Sequence, residues 1–193
     1  LPWVGTFHSI CVQIMKRDGE KIGIGRYFSI YDTTDQKDVV RKALKGLNIN
    51  DKKVNPNAVL SYISSAKSEL ITATKYEEIA RGYFEQIVAK VYPVYEKTLN
   101  DNSALDFDDL IMKTVELFEK ELSVLKKYQD LFKFILIDEY QDTNHAQYAF
   151  SKLLALKNRN LCVVGDDAQS IYAFRGANIT NILNFEKDYP DAK

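Results

Sequence analysis

Cysteine, proline and tryptophan are scarce in this chain: two, four and one among 193 residues. The two cysteines, Cys11 and Cys162, each sit inside an apolar stretch. That count excludes a disulfide-stapled scaffold, and both are expected to be packed thiols, which fits a reducing cytoplasm. Four prolines and eight glycines without a repeat exclude a collagen-like or low-complexity chain. Apolar runs are short as well. None approaches the ~20 residues that span a bilayer. An excess of one charge is also missing: 26 Lys and Arg stand against 27 Asp and Glu, a net charge of −1. A strongly basic protein that coats a phosphate backbone is thereby excluded, but a local basic face is not. Leu1-Pro2-Trp3-Val4 is too short and too uncharged to be the remnant of a signal peptide. With Leu1 in place of methionine, the chain reads as a piece of something longer.

What is present is an ordinary globular composition, 46% hydrophobic and 27% charged. Charge is distributed unevenly. Residues 36–100 carry a net +4 and residues 101–144 a net −6. The basic stretch is patterned for helices. Asp35 to Lys45 places Val39, Val40, Ala43 and Leu44 on one face, and Ala58 to Leu70 places Val59, Leu60 and Ile63. Tyr76 to Leu99 reads as one long amphipathic run holding Ile79, Tyr83, Phe84, Ile87, Val91 and Tyr95, with Pro93 as a possible kink. Asp106 opens a further helix through Leu110, Ile111, Val115 and Phe118. Asp106 reads as an N-cap, and Asp108 and Asp109 as a solvated or salt-bridged first turn; a metal cluster of the three is the alternative.

The ends read differently. Val4 to Phe7 suggests a short strand before a helix over Ser9–Lys16. Phe134-Ile135-Leu136-Ile137 and Leu161-Cys162-Val163-Val164 are uninterrupted apolar runs, the pattern of parallel strands buried on both faces. Asn144 to Leu156 fits a helix between them, with Ala146, Ala149, Phe150 and Leu153 inward. A strand–helix–strand unit of the α/β class follows. In open parallel sheets ligands bind at the carboxyl ends of the strands, and both runs end in acidic residues: Asp138-Glu139 after the first, Gly165-Asp166-Asp167 after the second. In such a pair one carboxylate suits Mg²⁺, a hard ion that takes oxygen ligands, and the next suits activation of a water that attacks a γ-phosphate. Acidic caps of a following helix are the structural alternative.

The longer strings around these tips narrow the choice. Asp138-Glu139-Tyr140-Gln141-Asp142-Thr143-Asn144 and Gly165-Asp166-Asp167-Ala168-Gln169-Ser170-Ile171-Tyr172-Ala173-Phe174-Arg175-Gly176-Ala177 resemble motifs II and III of the UvrD/PcrA/Rep-type superfamily I DNA helicases. Gly5-Thr6-Phe7-His8-Ser9 resembles motif Ib, and Leu105-Asp106-Phe107-Asp108-Asp109-Leu110 motif Ic. Four motifs in the right order and spacing make the resemblance specific. It implies part of a RecA-like P-loop NTPase sheet with a mostly helical insertion: motor domain 1A over residues 1–19 and 101–193, and subdomain 1B over 20–100. It implies ATP and Mg²⁺ as ligands, Asp138 as the metal ligand, Glu139 as the catalytic base and Gln169 as the sensor of the γ-phosphate. It also implies that Tyr172 and Phe174 lie against bases of single-stranded DNA. Arg175 would reach the DNA backbone or pair with an acidic neighbour, and Thr6 and His8 would contact the DNA backbone. Many relatives carry tryptophan where Phe174 stands, so stacking there is weaker. His8 has a second reading, as a hydrogen-bonded histidine packed at a strand end. Tyr83, Tyr92 and Tyr95 read as core and rim of the insertion, and its lysines as a solvated face, some within reach of duplex phosphates at a single-strand/double-strand junction.

One signature of that family is not in the chain. A phosphate-cradling Gly-x-x-x-x-Gly-Lys-Ser/Thr loop needs a glycine followed by Lys-Ser or Lys-Thr, and none of the eight glycines is. Motifs IV to VI of the second motor domain are also missing. The resemblance thus implies a fragment of an ATP-dependent 3′-to-5′ helicase, inactive alone, whose Phe134–Ile137 strand lacks its family neighbour and has an apolar edge for self-association. The helicase part of a helicase–nuclease is a second reading, and a non-catalytic module that binds DNA or a partner is a third. A metal-dependent phosphodiesterase built on Asp138, Glu139, Asp166 and Asp167 is a fourth.

Overall fold

The computed structural model describes residues 2–50, 53–166, 180–183 and 185–192. The chain divides into two compact units, residues 1–114 and 115–193.

In the first unit, α1 (Phe7–Asp18) starts at once behind Thr6, whose hydroxyl accepts the Ser9 N–H at 3.3 Å. The expected strand over 4–7 is therefore not there: the cap turns the chain into helix at Phe7. Two three-residue strands, β1 (Ser29–Tyr31) and β2 (Ala104–Asp106), pair in parallel, with Ser29 opposite Ala104 and Tyr31 opposite Asp106. A helical crossover runs between them: α2 (Thr33–Gly46), α3 (Pro56–Ser68), α4 (Ala73–Ile79) and α5 (Tyr83–Asp101). Each start has a local cause. Asp32 and Asp35 form a reciprocal capping box ahead of α2. Asn55 caps α3, and Pro56 occupies its first turn, where no N–H is needed.

The expected single helix over 76–99 is two helices. Ala80 is extended and Gly82 caps α5, while the Glu85 carboxylate accepts the Arg81 and Gly82 N–H groups at 2.8 and 3.0 Å. Pro93 lies inside α5 without ending it. The apolar faces meet in one core of Val39, Val40, Leu44, Val59, Ile63, Val88, Val91, Tyr92, Tyr95 and Leu99 among others. Tyr92 and Tyr95 are buried there, whereas Tyr83 is exposed at the rim.

β2 runs directly into α6 (Phe107–Lys120), and the unit boundary falls inside this helix. Asp106 caps it: the Asp109 N–H reaches Asp106 Oδ1 at 2.8 Å and the Asp106 N–H reaches Asp109 Oδ2 at 3.2 Å. The first turn is salt-bridged rather than solvated. Lys67 of α3 is fully buried, with Nζ 2.6 Å from Glu96, 2.8 Å from Asp106 and 2.8 Å from Asp109. The Tyr95 hydroxyl donates to Asp106 at 2.8 Å. Burial alone would lower the Lys67 pKa, but Asp109, Asp106 and Glu96 hold it well above the ordinary lysine range. Burial pushes Asp109 up to about 7 and Asp108 to about 6.

The second unit holds α7 (Leu122–Leu131), β3 (Ile135–Ile137), α8 (His145–Ala155), β4 (Leu161–Val163), α9 (Thr180–Leu183) and α10 (Phe185–Asp188). Phe118 packs on Tyr128 and Phe150 with ring centroids 5.8 Å apart in both pairs. β3 and β4 are parallel, with Leu136 opposite Cys162 and Ile137 opposite Val163, and α8 is the crossover between them. Burial on both strand faces is not observed. Strand side chains alternate between faces, and here Phe134 (82% exposed), Leu136 (72%), Cys162 and Val164 share an open face. Only the opposite face, led by Ile137, packs inward. Cys162 is therefore no packed thiol; Cys11 is, and burial pushes it up to about 12. Among the described residues, no helix is long and apolar enough to cross a membrane.

Candidate functional site

The ladder between β3 and β4 extends past both strands. The Val164 N–H donates to Ile137 O at 2.8 Å, and the Tyr140 N–H donates to Val164 O at 2.9 Å. This lock brings the two strand tips together, with Asp138 and Glu139 exposed at one and Gly165 and Asp166 at the other. Glu139 has φ 51° and ψ 42°, the left-handed region that a non-glycine residue enters at a cost. Its own N–H donates to Asp138 Oδ1 at 3.0 Å. A 3-10 turn over Tyr140–Asp142 follows and turns two side chains inward. Tyr140 is 1% exposed and meets Phe185 edge to face. Gln141 is fully buried: its Nε2 donates to Glu139 Oε2 at 2.7 Å, and its Oε1 accepts the Asp166 N–H at 3.1 Å. Thr143 Oγ1 donates to Tyr140 O, and Asn181 of α9 donates to Thr143 O. Asn144 then caps α8 in a reciprocal pair with Gln147.

The sequence places Asp138 and Glu139 at a strand tip, and the structure puts them there beside the second tip. Gln169, Tyr172, Phe174 and Arg175, with Asp167, lie outside the described residues. Gln141 is quoted in the motif but carries no role there, because nothing in its spacing shows a buried amide between two strand tips. Magnesium usually takes one or two carboxylates and completes its shell with water and substrate phosphates. Exposed Asp138 fits that ligand set. Among the described residues, no group of three or more His, Cys, Asp or Glu side chains is placed to hold a metal ion.

In the first unit, the Thr6 and His8 segment meets the start of α6. The His8 ring packs edge to face on Phe107, 5.8 Å between centroids, and burial lowers its pKa. Thr6 is exposed, and Phe107 remains 49% exposed. The two segments that resemble motifs Ib and Ic thus meet at His8 and Phe107.

Comparison with known proteins agrees with these strings. Over 190 residues, 98% of this chain, it is 54% identical to the ATP-dependent DNA helicase PcrA of Bacillus subtilis. It is 55% identical over 190 residues to the helicase of that name from Staphylococcus aureus, and 53% over 191 to that from Staphylococcus epidermidis. The matched segment is 26% of each relative's own length, so the chain spans about a quarter of these proteins. Residues 1–190 match the UvrD/REP helicase N-terminal domain, and the chain belongs to that family.

Proposed function

We propose that this chain is part of an ATP-dependent DNA helicase that moves 3′-to-5′ on single-stranded DNA and opens the duplex ahead. One observation carries the reading most directly: an exposed Asp-Glu pair at the carboxyl tip of a parallel strand, its Glu held by an amide that also grips the neighbouring tip. The two-stranded parallel β3–β4 sheet is read as part of a RecA-like motor domain 1A. The crossover between β1 and β2, over residues 20–100 in the sequence reading, is subdomain 1B. The family and the 53–55% identity to PcrA helicases support both assignments.

In this reading Asp138 would hold Mg²⁺, an ion that would offset charge on the phosphate oxygens. Glu139 accepts a proton from water as the water oxygen bonds to the γ-phosphorus. The bond to the bridging oxygen breaks, and ADP leaves with the electron pair. Gln169 senses the γ-phosphate. Tyr172 and Phe174 stack on bases, worth about 1–3 kcal/mol per base and tolerant of sequence. Arg175, Thr6 and His8 meet the DNA backbone, and subdomain 1B faces the junction of single and double strands.

The test is DNA-stimulated ATP hydrolysis by the complete protein. Glu139→Gln should lower it by about 10²–10⁴-fold while ATP and single-stranded DNA still bind. Full turnover in that variant would overturn the assignment of the base. Gln169→Ala should leave DNA affinity nearly intact but uncouple turnover from DNA; hydrolysis still fully stimulated by DNA would refute the sensor role. The 193-residue chain by itself should release no phosphate, since none of its glycines is followed by Lys-Ser or Lys-Thr to form a phosphate-cradling loop.

A further inference from the structure

We infer that Gln141 is a positioning residue that sets the Glu139 carboxylate by the place of the β4 tip. The inference rests on the reading of Glu139 as the base. Gln141 is 0% exposed, yet it sits two residues past an exposed carboxylate. Both ends of its amide are used, in opposite directions. Nε2 donates to Glu139 Oε2 at 2.7 Å, and Oε1 accepts the backbone N–H of Asp166 at 3.1 Å. A side-chain amide is the neutral group that both donates and accepts through a fixed plane. Methionine in its place would fill the volume and make neither bond. Glutamate would set a second carboxylate against the first and lose the donor.

The surrounding backbone is shaped for this bridge. Glu139 takes left-handed dihedrals, which curl the turn over Tyr140–Asp142 under the strand tip. On the other side Gly165 makes room. A Cβ there would stand 2.5 Å from Gln141 Oε1 and 2.8 Å from Ile182 Cδ1, too close for either to stay in place. A glycine is needed here for close approach, not for its backbone freedom. The Tyr140 N–H bond to Val164 O joins the same two tips as the amide bridge, so backbone and side chain both hold them. Because the amide is rigid, a shift of Asp166 tilts it, and the carboxylate at its other end turns with it. Whatever shifts Asp166 thereby aligns or misaligns Glu139.

The experiment uses the complete helicase that carries this chain and measures single-turnover and steady-state ATP hydrolysis with saturating single-stranded DNA. Gln141→Met should lower kcat about 10–100-fold, the usual effect of removing a group that orients an active one. KM for ATP and affinity for single-stranded DNA should stay within about twofold, because the bond lost acts on Glu139 and on neither ligand. Gly165→Ala, which presses on the same amide from the far side, should show the same split between kcat and KM. It serves as the reading if Gln141→Met does not fold, as judged by its melting curve. In a Glu139→Gln background Gln141→Met should cost nothing further. Wild-type kcat in both single variants would overturn the inference, and so would an undiminished loss in the Glu139→Gln background. Full turnover in Glu139→Gln alone would instead remove the base reading beneath it.

Discussion

An ammonium group with no exposed surface is tolerated only where carboxylates surround it, and Lys67 has three. Removing the cation leaves Asp106 and Asp109, exposed by 1% each, without a counter-charge. Lys67→Met should therefore destabilise the protein by about 3–5 kcal/mol, read from denaturant unfolding; a loss below about 1 kcal/mol would show that the cluster relaxes freely. The same cluster imposes a pH dependence. Asp109, raised to about 7 by burial against the pull of Lys67, keeps its proton in the fold where the unfolded chain has released it. Asp108, raised to about 6, does the same over a narrower range. Between the ordinary carboxyl range and about pH 7 the native state binds more protons, so stability falls as pH rises. Asp109→Asn should melt lower overall but lose less between pH 5 and 8 than the wild type. An equal slope in both would mean that Asp109 is not the titrating group. None of this was legible from Lys67 itself. A lysine in a basic helix reads as solvated, and only the fold brings residues 96, 106 and 109 around it.

At the scale of elements, what the sequence shows depends on length and on caps. The α2, α3, α6 and α8 patterns repeat over three turns or more, and their predicted inner residues Val39, Leu44, Val59, Ile63, Leu110, Phe118 and Phe150 are buried. β1 left no trace, since Ser29-Ile30-Tyr31 is too short to show alternation. The break at 80–82 was hidden by apolar spacing that runs on through it, although Gly82 with Glu85 three residues later was the available sign of a new start. The true cap of α2 was likewise Asp32, three residues before the expected start, with Asp35 as its reciprocal partner. Asp32 Oδ1 holds the Thr34 and Asp35 N–H groups at 2.7 and 3.0 Å. Asp32→Ala should cost about 1 kcal/mol of stability with little effect on DNA-stimulated hydrolysis, because it lies far along the chain from both strand tips. A cost near zero would assign the start of α2 to tertiary packing instead. In the candidate site, Asp138 and Glu139 were legible because an apolar run ends on them. Gln141 was not, because its function depends on a neighbour 25 residues away.

For the whole molecule, the open face of the β3–β4 sheet is the feature with the clearest consequence. Phe134, Leu136 and Val164 stand 82%, 72% and 51% exposed beside exposed Cys162 on one side of a sheet only two strands wide among the described residues. Apolar surface of this kind, flanked by unpaired strand edges, favours association with another chain. The continuous apolar runs led the sequence reading to expect burial on both faces, and self-association only through the edge of the Phe134–Ile137 strand; the open face was not foreseen. The isolated 193-residue chain should thus self-associate through this face, with a second copy supplying the cover. Sedimentation at rising concentration should show a dimer or higher species, and a Phe134→Lys/Leu136→Lys pair should return it to monomer. The change costs little folding energy, since both side chains already face solvent, so the melting temperature of the pair should hold. A chain that is strictly monomeric at high concentration would refute the association. A pair that still associates would move the interface elsewhere.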